Sequence, residues 1–251
     1  MPGHLTSPPI VEVVCGVLFE QNPEIDPILL GAYWDQRRDM YPGRQLQPAI
    51  TEPGTFVLGP MPPGRVWMLS ADAAWVVQLQ ADRFYVNWRK RGPVYPRFSP
   101  RPEDQSMLSR VTDEYQRFLG FCEQRLGVSP VAKRIELAKI DHFLRPQHWQ
   151  TAGDLVAMLP ILRELIGEEL PGFSLKRTEA VPGGKLSISL ASDTPDPSNV
   201  TRINLETRVV IDADNRDVDA LMREANQAAN QAFDDLVPKA EHVRFMGAAN
   251  E

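Results

Sequence analysis

The sequence predicts an α+β fold in which two similar halves share one curved antiparallel sheet. Each half is interpreted as a strand, a helix, a meander of antiparallel strands and a long helix. The connections within each meander are short and rich in proline and glycine, as hairpin turns usually are. The same element order occurs in each half of a TATA-binding-protein saddle, and this architectural analogy carries no function.

The predicted boundaries follow this repeated order of elements. The first half covers residues 10–127 and the second half covers residues 128–238. Residues 1–9 form a flexible, proline-rich arm, and residues 239–251 form a tail. Because no residues recur at a fixed period, the internal duplication is predicted from element order alone.

In the first half, a strand at residues 10–20 has apolar side chains on both faces. Asn22-Pro-Glu-Ile-Asp-Pro then opens a helix that Tyr41-Pro-Gly43 stops. The long helix covers residues 104–126, and Gly127 stands at the position of a C-terminal stop. The meander between the two helices consists of strands at residues 55–58, 65–70, 75–80 and 83–89.

In the second half, a long strand covers residues 131–144. Thr151 caps a helix whose apolar positions continue to Ile166. The last helix covers residues 216–236 and carries an alanine-rich apolar stripe. The meander consists of strands at residues 173–178, 185–191 and 201–212.

Composition excludes several classes of protein. The net charge of −6 over 251 residues argues against a protein that coats nucleic acid with its whole surface. The N-terminus does not resemble a signal peptide, and no apolar run is long enough to span a membrane. Cys15 and Cys122 lie in apolar patterns typical of buried thiols. We therefore expect a cytoplasmic protein with no membrane partner.

Sequence motifs identify no catalytic residue, no cofactor and no metal site. There is no phosphate-binding loop, dinucleotide fingerprint or nucleophile elbow, and the four histidines lack metal-ligand spacing. Four carboxylates in predicted strands could converge as an acid–base pair, although the sequence cannot show it. They are Glu12, Glu20, Glu136 and Asp141.

The segment 83–101 carries six cationic side chains and no acidic one. Strand alternation places Arg83, Tyr85, Asn87 and Arg89 on the polar face of the sheet. The corresponding strand of the second half presents a similar pattern that begins at Arg202 and ends at Arg208, with Asn204 and Glu206 between them. Such a face is either simply solvated or binds an anion, because guanidinium groups suit phosphate and carboxylate.

The loop that follows combines arginine with aromatic residues. It could be an ordered turn that packs on the core, or it could contact a single-stranded nucleic acid or a peptide. The predicted ligand-binding residues are therefore Arg83, Tyr85, Asn87, Arg89, Arg91, Tyr95, Arg97, Arg202 and Arg208.

Two motifs resemble those of a sporadically distributed family of prokaryotic proteins of uncharacterised activity. They are Pro9-Ile-Val-Glu-Val-Val14 and the segment Trp88-Arg89…Tyr95-Pro-Arg-Phe98. A third family motif, a strand with Tyr and Asn, is not matched by Arg134-Ile-Glu-Leu-Ala-Lys-Ile-Asp141. The resemblance implies a bacterial accessory or defence-type system and supplies no activity.

Taken together, these patterns favour a non-enzymatic binding or adaptor protein. Its partner would be an anionic ligand, a single-stranded nucleic acid or another protein. Two alternatives stay open: an enzyme acting on a phosphorylated or nucleotide-like ligand, and an oligomerising structural protein that uses its alanine-rich last helix as the contact.

Overall fold

The fold was analysed in a computed structural model, which describes residues 8–50, 64–93, 95–99, 106–164, 172–194 and 200–247. The strand predicted at residues 55–58 lies outside these residues, as does most of the predicted N-terminal arm. Within the described ranges the chain forms nine strands and five α-helices, so the predicted α+β class is confirmed.

The strands are β1 (Ile10–Phe19), β2 (Gly43–Gln47), β3 (Arg65–Leu69), β4 (Trp75–Gln80), β5 (Arg83–Arg89), β6 (Ala132–Leu144), β7 (Ser174–Val181), β8 (Gly184–Ser192) and β9 (Arg202–Asp212). The helices are α1 (Pro27–Gln36), α2 (Met107–Leu126), α3 (Ala152–Met158), α4 (Val218–Leu236) and α5 (Lys239–Met246). None of these helices combines the length and the apolar character that a membrane crossing requires.

The nine strands form one antiparallel sheet that does not close into a barrel. Its strand order is β2-β3-β4-β5-β1-β6-β9-β8-β7. The order strand, helix, meander, long helix occurs twice along the chain, as predicted. The division of the sequence between residues 127 and 128 stays a prediction.

By the density of its internal contacts, the chain divides into two compact units. Unit I contains Val14–Leu137 and Ile211–Arg223. Unit II contains the residues up to Val13, Ala138–Val210 and the residues from Glu224 onward.

Local side-chain contacts explain where the helices begin and end. In α2, the Ser106 hydroxyl accepts from the Ser109 backbone, and Gly127 ends the helix in the left-handed conformation with φ 72°. Thr151 caps α3, as predicted. However, α3 ends at Met158 because Pro160 cannot continue an α-helix, so the predicted extension toward Ile166 is wrong up to residue 164.

Two elements have no counterpart in the predicted pattern. The strand β2 has the sequence Gly-Arg-Gln-Leu-Gln, which lacks the apolar alternation of a typical strand. The helix α5 lies in the segment predicted to be a tail.

In α1 the buried residues are Leu30, Tyr33 and Trp34, whereas Ile28 is exposed.

The core of unit I is aromatic and centres on Phe118 of α2. Its ring centroid lies 5.4 Å from that of Phe84, 5.5 Å from Tyr33 and 6.2 Å from Phe19. Ring pairs at such distances stabilise a core beyond their buried area. The long helix α2 thereby packs on the apolar face of the sheet and on α1.

The alanine stripe of α4 is used inside the fold. Ala225, Ala229 and Ala232 are all buried. Small side chains allow a helix to lie close to its neighbours, which explains the alanine-rich composition. The stripe is therefore not exposed as a contact for another copy of the chain.

A buried carboxylate connects α1 to α2 in unit I. The Oε1 atom of Glu114 accepts a hydrogen bond of 2.7 Å from Arg37 Nη2 and one of 3.0 Å from the Tyr41 hydroxyl. The Glu114 side chain is 3% exposed and that of Arg37 is 17% exposed. Removing one partner of such a pair leaves the other charge buried and unpaired.

We expect Glu114→Gln to lower the free energy of unfolding by about 3 kcal/mol, because it leaves the charge of Arg37 without its carboxylate partner. The matched control is Asp35→Asn, which breaks the exposed ion pair between Asp35 of α1 and Arg38 of the turn that follows. It should change the free energy of unfolding by less than about 0.5 kcal/mol. Denaturant unfolding measures both variants, and equal effects would contradict a structural role for Glu114.

Candidate functional site

The structure divides the nine predicted ligand-binding residues between the two units. Arg83, Tyr85, Asn87 and Arg89 lie on β5 of unit I, and Arg91, Tyr95 and Arg97 lie in the loop that follows. Arg202 and Arg208 lie on β9 of unit II.

In unit I the predicted residues belong to a larger surface, which we call the β3–β5 polar face. Trp67 of β3 pairs with Gln78 of β4, and Gln78 pairs with Tyr85 of β5. Alternation along these antiparallel strands brings further side chains to the same face. The members of the β3–β5 polar face are Arg65, Trp67, Gln78, Gln80, Arg83, Tyr85, Asn87 and Arg89.

The β3–β5 polar face is largely buried, which differs from the solvated face that the alternating pattern suggests. Arg83 is 5% exposed, Tyr85 is 3% exposed and Asn87 is 2% exposed. Part of the cover comes from the segment before residue 51, because Gln80 exchanges two hydrogen bonds with the backbone of Ile50. Polar side chains in this position must find partners or lose stability.

A relay of hydrogen bonds satisfies the centre of the face. Arg65 Nη1 donates to Gln78 Oε1 at 2.8 Å, and Gln78 Nε2 donates to Asn87 Oδ1 at 2.7 Å. The relay fixes the orientation of both amides. It also holds the Arg65 guanidinium over the sheet instead of allowing it to extend into solvent.

Positive charge is concentrated around Trp67. The guanidinium carbon of Arg89 lies 4.6 Å from the centroid of the Trp67 ring, and that of Arg65 lies 5.2 Å away. Burial lowers the pKa of Arg65, and the nearby charges of Arg83 and Arg89 lower it further, although Tyr85 acts in the opposite direction. Two guanidinium groups beside one indole suit an anion or another group rich in electrons.

Two donors on this face are shielded from solvent and have no hydrogen-bond partner in the described part of the chain. They are Arg65 Nε and Trp67 Nε1. Buried donors are nearly always paired in folded proteins, so each unpaired donor requires an explanation. The sequence pattern did not single out either side chain. However, alternation along β3 places Arg65 and Trp67 on the same face of the strand.

Arg83 is already engaged within the protein. Its Nε donates to Asp82 Oδ1 at 2.8 Å and its Nη2 donates to Asp82 Oδ2 at 2.6 Å. This two-point pair stabilises the tight turn between β4 and β5. The guanidinium group of Arg83 is therefore already paired with a neighbouring carboxylate.

Tyr85 spans three neighbouring strands. A Cβ atom built on Gly16 of β1 would lie only 2.2 Å from the Cδ1 and Cε1 atoms of the Tyr85 ring. Beyond Gly16, the Tyr85 hydroxyl donates to Glu136 Oε2 of β6 at 2.9 Å. The ring can cross β1 because residue 16 has no side chain.

Described residues of the loop after β5 contact the rest of unit I. The ring of Tyr95 lies 6.5 Å from that of Trp88, and the Arg97 carbonyl accepts a hydrogen bond from the Met107 backbone at the start of α2. Burial raises the pKa of Tyr95 even though the charge of Arg97 acts in the opposite direction. Arg91 is exposed at the start of the loop.

On β9 of unit II the two predicted arginines differ in their surroundings. Arg208 Nε donates to Glu206 Oε1 at 2.8 Å, and both side chains are about two-fifths exposed. Arg202 Nε is shielded from solvent and lacks a partner among the described residues. Burial and the charge of Arg202 lower the pKa of His142, while Glu12 raises it.

The four strand carboxylates also fall in different units. In unit I, Glu136 bonds to Tyr85, and Glu20 forms an ion pair with Lys133 at 2.8 Å. In unit II, burial raises the pKa of Asp141 to about 7. Glu12 also lies in unit II. Within unit I, Glu20 and Glu136 thus bond to different residues.

Neither cysteine has the environment of a nucleophile. Cys15 and Cys122 are buried and carry free thiols, and burial raises the pKa of Cys122 to about 11. Among the described residues, no group of three histidine, cysteine or acidic side chains is placed to hold a metal ion. The β3–β5 polar face itself carries guanidinium, amide and hydroxyl groups.

Comparison of the chain with protein-family models and with curated proteins found no match. The resemblance based on Pro9–Val14 and Trp88–Phe98 accordingly stays a prediction.

We expect Gly16→Ala to destabilise the protein by roughly 1–3 kcal/mol, because the added methyl group overlaps the Tyr85 ring. In a Tyr85→Ala background the same change should cost much less, since the ring is gone. Denaturant unfolding of the wild type, both single variants and the double variant measures this coupling. Additive effects would contradict the close contact between Gly16 and Tyr85.

Proposed function

We propose that the protein is a non-enzymatic binding or adaptor protein that holds an anionic group on the β3–β5 polar face. The observation that carries the proposal is the pair of shielded donors, Arg65 Nε and Trp67 Nε1, that lack partners among the described residues. The two side chains are neighbours, with the Arg65 guanidinium carbon 5.2 Å from the Trp67 ring centroid, and oxygen atoms of an anion are suitable acceptors for such donors. The hydrogen-bond relay through Gln78 and Asn87 holds Arg65 in place before the ligand arrives.

Charge supports the same proposal. The guanidinium groups of Arg65 and Arg89 flank Trp67 at 5.2 Å and 4.6 Å, in a chain whose net charge is −6. A local cluster of cations in an acidic protein favours a small anionic ligand, or the anionic part of a larger one, over a uniformly bound polyanion. Buried donors strengthen such contacts because water does not compete with the anion.

The finer features of the proposal rest on sequence patterns. A location in the cytoplasm and a role in a bacterial accessory or defence-type system come from composition and from the family resemblance. The loop residues Arg91, Tyr95 and Arg97 would extend the contact if the ligand is a single-stranded nucleic acid or a protein partner.

Calorimetric titration with inorganic pyrophosphate tests the site. We expect Arg65→Gln and Arg89→Gln each to weaken binding roughly tenfold or more, because each removes a charged hydrogen-bond donor. The matched control is Arg38→Gln, which removes a guanidinium group that lies 4.6 Å from the ring of a different tryptophan, Trp34. Thermal unfolding and circular dichroism verify that every variant is folded.

Further probes distinguish the kinds of ligand. Citrate tests a carboxylate ligand, and a labelled oligothymidylate tests a single-stranded nucleic acid, with binding that weakens as salt increases. Release of orthophosphate from pyrophosphate during the titration would favour the enzyme alternative. The proposal is wrong if wild type binds none of these probes, or if the Arg65→Gln/Arg89→Gln variant binds as tightly as wild type.

A further inference from the structure

The strand β7 is the last strand of the sheet in the described part of the chain. Most of its side chains are exposed. An exposed edge strand presents backbone donors and acceptors to which another strand can pair.

The outward-facing backbone groups of β7 can be identified from its pairing with β8. Val181 pairs with Gly184 across the two-residue turn, and in the same register Ser192 N donates to Phe173 O at 3.0 Å. In an antiparallel pair, residues that hydrogen-bond to one neighbour recur at every second position. The odd-numbered residues therefore bond to β8, and the N–H and C=O groups of Thr178 face away from the sheet.

Two of the three charged residues of β7 flank Thr178, and the third is Lys176. Arg177 and Glu179 form an ion pair between Nε and Oε1 at 2.6 Å, with side chains 63% and 37% exposed. If a second copy of β7 pairs antiparallel about a two-fold axis at Thr178, each Arg177 lies opposite a Glu179 of the other copy. The two Thr178 residues then exchange backbone hydrogen bonds.

Neighbouring registers with the same backbone bonding are disfavoured by charge. Moving the axis to residue 177 places two arginines opposite each other, and moving it to residue 179 places two glutamates opposite each other. Like charges in directly opposed positions destabilise strand pairing. Of these three registers, only the one with its axis at Thr178 places opposite charges face to face.

Apolar surface beside the strand adds to this contact. Arg177 and Glu179 help to line a groove of about 340 Å³, whose lining also includes Leu186, Ile188 and Ala232. A second copy seated at the edge covers part of this groove and removes apolar area from water.

We propose that β7 is a self-complementary edge through which two copies of this chain form a two-fold dimer, with Thr178 on the axis and Arg177 of each copy opposite Glu179 of the other. An interface built around one pair of eight-residue strands is small, so the dimer exchanges with monomer. This inference is independent of the proposed ligand.

Charge-reversal variants studied by sedimentation equilibrium test the dimer. Arg177→Glu and Glu179→Arg should each weaken dimerisation roughly tenfold to a hundredfold, since each creates two like-charged contacts at the two-fold axis. The double variant Arg177→Glu/Glu179→Arg should dimerise like wild type because it restores alternating charge. An equimolar mixture of the two single variants should form heterodimers, because every glutamate at these positions in one variant then lies opposite an arginine of the other.

Formation of the heterodimer distinguishes this interface from edge charges that only prevent association. With such charges, every sample would contain the same monomer. Thr178→Pro is a second variant: it removes an outward N–H and should abolish the dimer with the fold retained, as circular dichroism can show. Wild type that stays monomeric up to about 1 mM would overturn the proposal. So would single variants that dimerise as strongly as wild type, or a mixture that forms no heterodimer.

Discussion

The contact of Tyr85 with Gly16 is the constraint on which the polar face of unit I depends. The ring lies where any side chain at position 16 would stand, and its hydroxyl reaches Glu136. Because β5, β1 and β6 are neighbours in the sheet, this single side chain connects three strands. The ring is itself part of the buried layer, since Tyr85 is 3% exposed.

The burial of this layer explains why its charged groups are held by partners within the protein. Arg65 is held by Gln78, while Arg83 is neutralised within its own turn by Asp82. Arg65 Nε and Trp67 Nε1 are left without partners in the described chain. Buried donors are nearly always paired in folded proteins, and the anion proposed for this face would pair both of them.

Much of the architecture could be predicted from the sequence, because alternation and turn residues are local signals. The strands at residues 75–80 and 83–89 are predicted with the bounds that the structure shows. The strand β2 could not be predicted, since its sequence lacks the apolar alternation that identifies a strand. The burial of the β3–β5 polar face could not be predicted either, because the approach of Tyr85 to Gly16 joins residues far apart in the chain.

In the proposed complex, Arg65 Nε–H and Trp67 Nε1–H donate to a bound anion, and nuclear magnetic resonance can observe both protons directly. Trp67→Phe and Arg65→Lys assign the two signals in an isotope-labelled sample, which is then titrated with pyrophosphate. The account predicts that both signals shift together and saturate at the same ligand concentration, while the indole signal of Trp34, which donates to Tyr41 O, stays in place. Shifts confined to other residues, or no shift of either donor, would contradict it.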